Sequence, residues 1–129
     1  MKASISIIIP TFNRARELNR AIESVINQTY KNWELIIIDN NSSDNTDEVV
    51  SKFNDSRILL FKINNNGVIA KSRNLGIKKA SGSFIAFLDS DDWWLPKKIE
   101  ISLKYLEKGA DIVYHDLFIA KKGALKNNR

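Results

Sequence analysis

The sequence predicts an α/β fold: a doubly wound, mainly parallel sheet with helices on both faces. Three observations predict it. Short continuous apolar runs, the composition of strands buried on both faces, alternate with stretches whose apolar residues recur at helical spacing. That alternation implies right-handed crossovers and parallel neighbours covered on both sides. Each of the first four apolar runs is followed directly by a polar cluster, at residues 11–14, 39–42, 64–67 and 89–92. Ligands of such sheets bind beyond the carboxyl ends of the strands, so these clusters should emerge along one edge. Turn chemistry alone would also place Asn and Ser there.

The elements follow in order. Residues 5–10 read as a buried strand closed by Pro10, which cannot extend a central ladder. Thr11 or Asn13 is available to cap the helix expected over 16–28, where Leu18, Ala21, Ile22, Val25 and Ile26 share a face. Residues 33–39 form the second strand. Residues 46–53 form a short helix with Val49, Val50 and Phe53 inward, and residues 58–63 form the third strand. A helix over 68–80 carries Arg73 and Asn74, and Gly82 suits its stop. The fourth strand covers 84–88. Pro96 can open a further helix with Ile99, Leu103 and Leu106 on one face and Gly109 at its end. Residues 111–115 and 117–120 read as fifth and sixth strands.

Composition narrows the function. At 129 residues the chain suffices for about one domain with a real core. There is no cysteine, hence no disulfide framework and no thiolate zinc site, which fits a reducing cytosol. No secretory leader is expected, because Pro10 interrupts the first apolar run, and no run is long enough to span a bilayer. The net charge of +5 favours anionic partners: nucleotides, phosphates or an acidic membrane surface. The basic residues alternate with helix faces instead of forming an aromatic-studded platform, so nucleic acid is not expected. The five glycines form neither a dinucleotide fingerprint nor a P-loop.

The chemistry concentrates at the end of the fourth strand, where Asp89-Ser90-Asp91-Asp92 sets three carboxylates within four residues. Such a cluster repels itself unless a cation compensates, and hard divalent ions take carboxylate oxygens. The plainer reading is an acidic turn capping the next helix. An Asp-dependent phosphatase is a competitor, although its Asp-x-Asp usually lies on the first strand. Asp44 and Asp92 read as turn or cap residues, and the solitary His115 as structural. Trp93 and Trp94 read as core or lid packing. Phe12 could pack over the sheet or offer a stacking face.

Residues 7–14 (Ile-Ile-Ile-Pro-Thr-Phe-Asn-Arg), 24–30 (Ser-Val-Ile-Asn-Gln-Thr-Tyr) and 34–44 (Glu-Leu-Ile-Ile-Ile-Asp-Asn-Asn-Ser-Ser-Asp) resemble blocks of the family 2 inverting glycosyltransferases of GT-A fold. The resemblance resumes at Asn66-Gly67-Val68, at Ala70, at Arg73-Asn74-Leu75-Gly76 and across 82–96. It implies a nucleoside-diphosphate sugar across the carboxyl edge of the sheet and a saccharide or lipid-linked saccharide acceptor. Pro10, Thr11, Phe12 and Asn40 would contact the base and Asp39 would support that pocket. Arg73 would lie near the phosphates, with Asp89 and Ser90 against the sugar. Asp91, with Asp89, would hold Mn²⁺ or Mg²⁺.

The resemblance further implies residues 1–120 as the donor-binding half, with 121–129 a basic tail or the start of an acceptor half. It points to a cytoplasmic protein, able to sit at the inner face of a membrane. Two departures stand out. Asn40 replaces the second Asp common in the family, which leaves the base open between uridine, guanosine and thymidine. No residue matches the family's general base. A donor- and metal-binding module without turnover is therefore a second reading, and a scaffold that forms homodimers a third.

Overall fold

The computed structural model describes residues 5–107, 112–113 and 118–121. The chain runs β1 (Ile5–Thr11), α1 (Ala15–Ile26), β2 (Trp33–Asp39), α2 (Thr46–Ser51), β3 (Ile58–Lys62), α3 (Ile69–Lys79), β4 (Phe84–Phe87), α4 (Lys98–Glu107), β5 (Ile112–Val113) and β6 (Phe118–Lys121). One sheet holds the strands in the order β3-β2-β1-β4-β6-β5. The first four are parallel, as the alternation predicts. β6 then runs antiparallel to β4, and β5 antiparallel to β6, so the last two strands enter out of chain order. Lys121, assigned from sequence to the basic tail, is the last residue of β6 and pairs with Phe84. Gly109, His115 and residues 122–129 lie outside the described residues.

The apolar runs of β1 and β2 supply both faces of the sheet, because successive side chains point opposite ways. Ile7, Ile9, Leu35 and Ile37 face a layer built from Leu18, Ile22 and Val25 of α1, Val50 of α2, and Ile99, Leu103 and Leu106 of α4. Ile8, Ile36, Ile38 and Ile85 face the other way, onto Ile77 of α3 and Ala80. Full burial of one such side chain stabilises by about 1.5–3 kcal/mol, so the central strands are the stable frame. That frame sets the site. The register places Thr11 level with Asp39 and Asp39 level with Lys62, so the loops after β1, β2 and β3 leave the sheet together. Leu88 N–H continues the β4 ladder to the Ile8 carbonyl at 3.0 Å, and Asp89 follows at the same edge.

Three local expectations change. β1 does not close at Pro10: it continues to Thr11, with Pro10 level with Ile38 and Thr11 level with Asp39 on β2. Neither Thr11 nor Asn13 caps α1; the Ala15 N–H donates instead to Asp44 Oδ2 at 3.0 Å, from the loop after β2. Gly82 is not a left-handed helix stop: α3 ends at Lys79, and Gly67 alone among the described glycines has positive φ. Gly82 is needed because the β1 backbone passes too close for a side chain.

At the amino end of the strands, Glu34 Oε2 accepts from the Ser6 hydroxyl, the Ser81 N–H at 2.6 Å and the Ser81 hydroxyl at 2.9 Å. Partial burial pushes the Glu34 carboxyl up, but hydrogen bonds from Ser6, Ser81 and Gly82 outweigh it and hold the group below its usual 4.5. A carboxyl depressed by folding stabilises fully above its unfolded value and loses that contribution as pH falls through its folded value. Glu34→Gln should therefore be less stable than wild type at neutral pH. The gap should shrink on acidification below about 4.5. Urea midpoints across that range measure it, and a gap independent of pH would refute the assignment.

Candidate functional site

Three of the four post-strand loops are stitched to one another by the Asn and Ser residues that made them look like turns. After β1, Asn13 adopts a left-handed φ of 49°. Its N–H donates to Ser42 Oγ at 2.9 Å, and its Oδ1 accepts the Ser43 N–H at 2.8 Å. After β2, the Asn40 N–H donates to the Thr11 carbonyl at 2.9 Å. After β3, the Asn65 N–H donates to Asn40 Oδ1 at 3.1 Å, and Asn65 Nδ2 donates to Ser72 Oγ on α3 at 3.1 Å. Asn66 and Gly67 then take left-handed φ values of 58° and 80°, which Asn and Gly tolerate best. Asp44 also accepts from the Thr46 hydroxyl and N–H, and these bonds hold its carboxyl below the usual value.

The acidic segment after β4 is held from its far side. Its turn closes through the Asp92 N–H to the Asp89 carbonyl at 3.0 Å, and Asp92 Oδ1 accepts the Trp93 N–H at 2.8 Å. The Arg20 guanidinium of α1 reaches the Asp91 carbonyl at 3.4 Å and stacks 3.8 Å from the centre of the Trp93 ring. Trp94 is buried in the core while Trp93 stays half exposed, so the two tryptophans take separate roles. Gln28, at the end of α1 and fully buried, donates to the Leu95 carbonyl at 2.7 Å and accepts the Ile99 N–H at 3.1 Å.

These loops enclose a cavity of about 430 Å³ lined by Pro10, Thr11, Phe12, Arg14, Asn40, Gly67, Ile69, Ser72, Arg73, Asp89, Ser90 and Asp91. Eight of the nine residues expected from sequence are among them. Asp39 is the ninth and lies beneath. It is fully buried, accepts from the Ser42 N–H at 3.2 Å and from the Ser42 hydroxyl, and has Lys62 Nζ 3.8 Å from Oδ2. That places it as a support of the loop after β2, not a wall of the cavity.

Arg73 sits 3.3 Å from Asp89 Oδ1 across the cavity. Both groups are well exposed, so the pair contributes little to stability and can open toward a ligand. The Arg73 Nε is buried and makes no hydrogen bond to any described residue. Phe12 is 54% exposed and lines both this cavity and a neighbouring hollow, so it offers a free aromatic face. Arg14, Ile69, Ser72 and Gln28 were not singled out from sequence. The spacing of Ile69, Ser72 and Arg73 on one helix face was the available signal for two of them. Gln28 falls in the resembling block 24–30, but that gave it no role, since a buried Gln reads like a solvated one.

The acidic tip admits a cation only on particular terms. No group of three or more His, Cys, Asp or Glu among the described residues is placed to hold a metal. Asp89 and Asp91 can give one or two carboxylates, and phosphate oxygens and water would complete the shell. Mg²⁺ commonly binds nucleotides in this way. The residues present fit a cation carried with a diphosphate, not a closed protein cage.

An α/β sheet whose post-strand loops close one cleft, with guanidinium, carboxylate, aromatic and amide groups on its walls, defines a ligand-binding domain of the doubly wound class. The model for "Glycosyl transferase family 2" matches residues 6–129. The chain belongs to glycosyl transferase family 2.

Among its relatives, an Escherichia coli protein described as the UDP-Glc:alpha-D-GlcNAc-diphosphoundecaprenol beta-1,3-glucosyltransferase WfgD is 46% identical over 104 residues, 81% of this chain and 41% of that protein. An uncharacterized glycosyltransferase of Rickettsia bellii is 46% identical over 115 residues, 88% of this chain and 16% of its own length. The chain thus spans less than half of either relative. The solved structure of S. aureus TarS 1-349 with UDP-GlcNAc superposes with a TM-score of 0.87 at 22% identity, over 99% of this chain and 47% of that one. This likeness supports the GT-A type of fold.

Proposed function

We propose that this chain binds a nucleoside-diphosphate sugar, with uridine as the nucleoside, and directs its sugar to an acceptor hydroxyl with inversion. The observation that carries the reading is the convergence of Arg14, Arg73, Asp89 and Asp91 in one cleft with the exposed ring of Phe12. A diphosphate needs cationic partners, and a base needs an aromatic face. The described function of WfgD, a UDP-Glc transferase acting on a lipid-linked sugar, supports uridine and a saccharide or lipid-linked saccharide acceptor. No described helix is long and apolar enough to cross a membrane.

In this mechanism Arg14 and Arg73 face the phosphates and orient the donor. The Arg73–Asp89 pair opens so that Asp89 and Ser90 meet the sugar. Asp91, with Asp89, would hold Mn²⁺ or Mg²⁺, and such a cation would supply Lewis-acid stabilisation of the charge on the departing diphosphate. The acceptor oxygen forms its bond to the anomeric carbon as the bond to the diphosphate oxygen breaks, and a single displacement inverts that carbon. The hydroxyl proton must pass to a general base. The carboxylates that line the described cleft, Asp89 and Asp91, are already committed to the sugar and cation.

Thermal unfolding with UDP, GDP or dTDP, each with and without Mn²⁺, tests the proposal. UDP at a hundredfold excess over its Kd should add about 2.7 kcal/mol of stability, with part of that dependent on Mn²⁺. If no nucleotide moves the midpoint, the donor reading fails. Release of UDP from UDP-glucose separates an enzyme from a module that binds without turnover.

A further inference from the structure

The cleft divides by chemistry. Its charged residues, Arg14, Arg73, Asp89 and Asp91, line the 430 Å³ cavity. The adjoining hollow of about 230 Å³ is lined by Phe12, Asn40, Asn41, Asn64, Asn66 and Gly67, and carries no charge. A nucleoside diphosphate laid along the two puts its phosphates among the charges and its base between a ring and amides. Asn40 lines both spaces and stands at their boundary.

The orientation of the Asn40 amide is not free. The Asn65 backbone N–H donates to Asn40 Oδ1 at 3.1 Å, and a flip would turn two donors toward each other. Asn65 is itself buried and anchored, because its side chain bonds Ser72 Oγ and accepts the Val68 N–H at 3.0 Å. The carbonyl of Asn40 is therefore engaged by the protein. Its Nδ2 makes no hydrogen bond to any described residue. Asn40 is only 8% exposed, so a ligand that fails to meet this donor leaves a poorly solvated amide unpaired.

We infer that Asn40 reads the base as a hydrogen-bond donor, through Nδ2 to the uracil O4 carbonyl, and leaves the N3–H unread. The inference rests on the donor reading above and specifies the base edge that it uses. The ribose must remain with the phosphates, so the far edge of the ring, carrying N3 and O4, enters the amide-lined hollow. Cytosine bears an amino donor where uracil has O4, and there donor would meet donor. Sequence alone could not decide this, since an Asn side chain accepts as readily as it donates.

Calorimetric titration of the full chain with UDP, CDP and 5-bromo-UDP tests it. Bromine acidifies the ring, so N3 loses its proton at mildly alkaline pH while O4 becomes a stronger acceptor. UDP should bind at least about tenfold more tightly than CDP, the scale of one hydrogen bond gained against one donor left unpaired. The affinity ratio of 5-bromo-UDP to UDP should hold or rise as N3 ionises. Asp39 below Asn40, Lys62 beside Asp39, and the four charged residues of the cavity are common to both ligands, so the ratio cancels their titration. In Asn40→Asp the ratio should instead fall about tenfold, because a carboxylate needs the N3–H and repels the ionised ring.

The wild-type measurements stand whether or not that variant folds. A wild-type ratio that falls as N3 ionises, or equal affinity for CDP and UDP, overturns this inference and leaves the donor reading intact. Failure of every nucleotide to bind overturns both.

Discussion

Asp91→Ala is expected to abolish the Mn²⁺-dependent part of the stabilisation by UDP while leaving the ligand-free protein almost unchanged. The Asp91 side chain is exposed at the cavity wall, and the contact from Arg20 goes to its backbone carbonyl, which alanine retains. Exposed substitutions of this kind usually stay within about 0.5 kcal/mol. The effect on metal should be near complete, because Asp89 and Asp91 are the carboxylates lining the described cleft and Asp89 already faces Arg73. Asp89→Ala should be milder toward Mn²⁺ and should also free Arg73. Unfolding midpoints with UDP, with and without Mn²⁺, measure both variants. If Asp91→Ala keeps the full Mn²⁺ increment, the assigned ligand is wrong.

The largest stability loss is expected at Gly82. A Cβ there would lie 2.8 Å from the Ser6 backbone nitrogen and 2.9 Å from the Ile5 carbonyl carbon, both in the central strand. Those atoms cannot step aside as the tip of a side chain can. Gly82 N–H also donates to Ser6 Oγ at 2.8 Å, a bond that any displacement of β4 would stretch. Overpacking of this kind costs about 1–3 kcal/mol, and Gly82→Ala should fall at the upper end. Gly67→Ala is the contrast. Nothing lies within 4 Å of its Cβ position, and the penalty is only the left-handed φ of 80°, about 1 kcal/mol. Urea unfolding with an unchanged slope would rank them, and equal losses would refute the close-approach argument.

Much of this molecule was legible in its residues. The apolar runs of β1 and β2 and the 3.6-residue spacing of Leu18, Ile22 and Val25 are local signals, and the observed elements end within about two residues of where those signals end. Phe12, Asn40 and Asp91 could be assigned to one edge because parallel crossovers send every strand the same way, whereas Arg73, inside α3, was placed there only by the family resemblance. The helix caps and stops were harder. Thr11 and Asn13 were nearer to α1 than Asp44, yet Asp44 supplies the bond, from 29 residues away.

By itself, the sequence determined the class of fold and the edge at which its polar residues gather. Both follow from patterns that repeat over a few residues and need no knowledge of distant neighbours. Tertiary structure alone decided that β6 enters antiparallel beside β4, that Gly82 lies against the β1 backbone, that Gln28 holds the segment after the acidic tip, and that the Asn40 carbonyl accepts the Asn65 N–H. The physical reason is common to all four. An edge, a clash, a clamp and an amide orientation each belong to a pair of groups far apart along the chain, and only folding brings the second member into place.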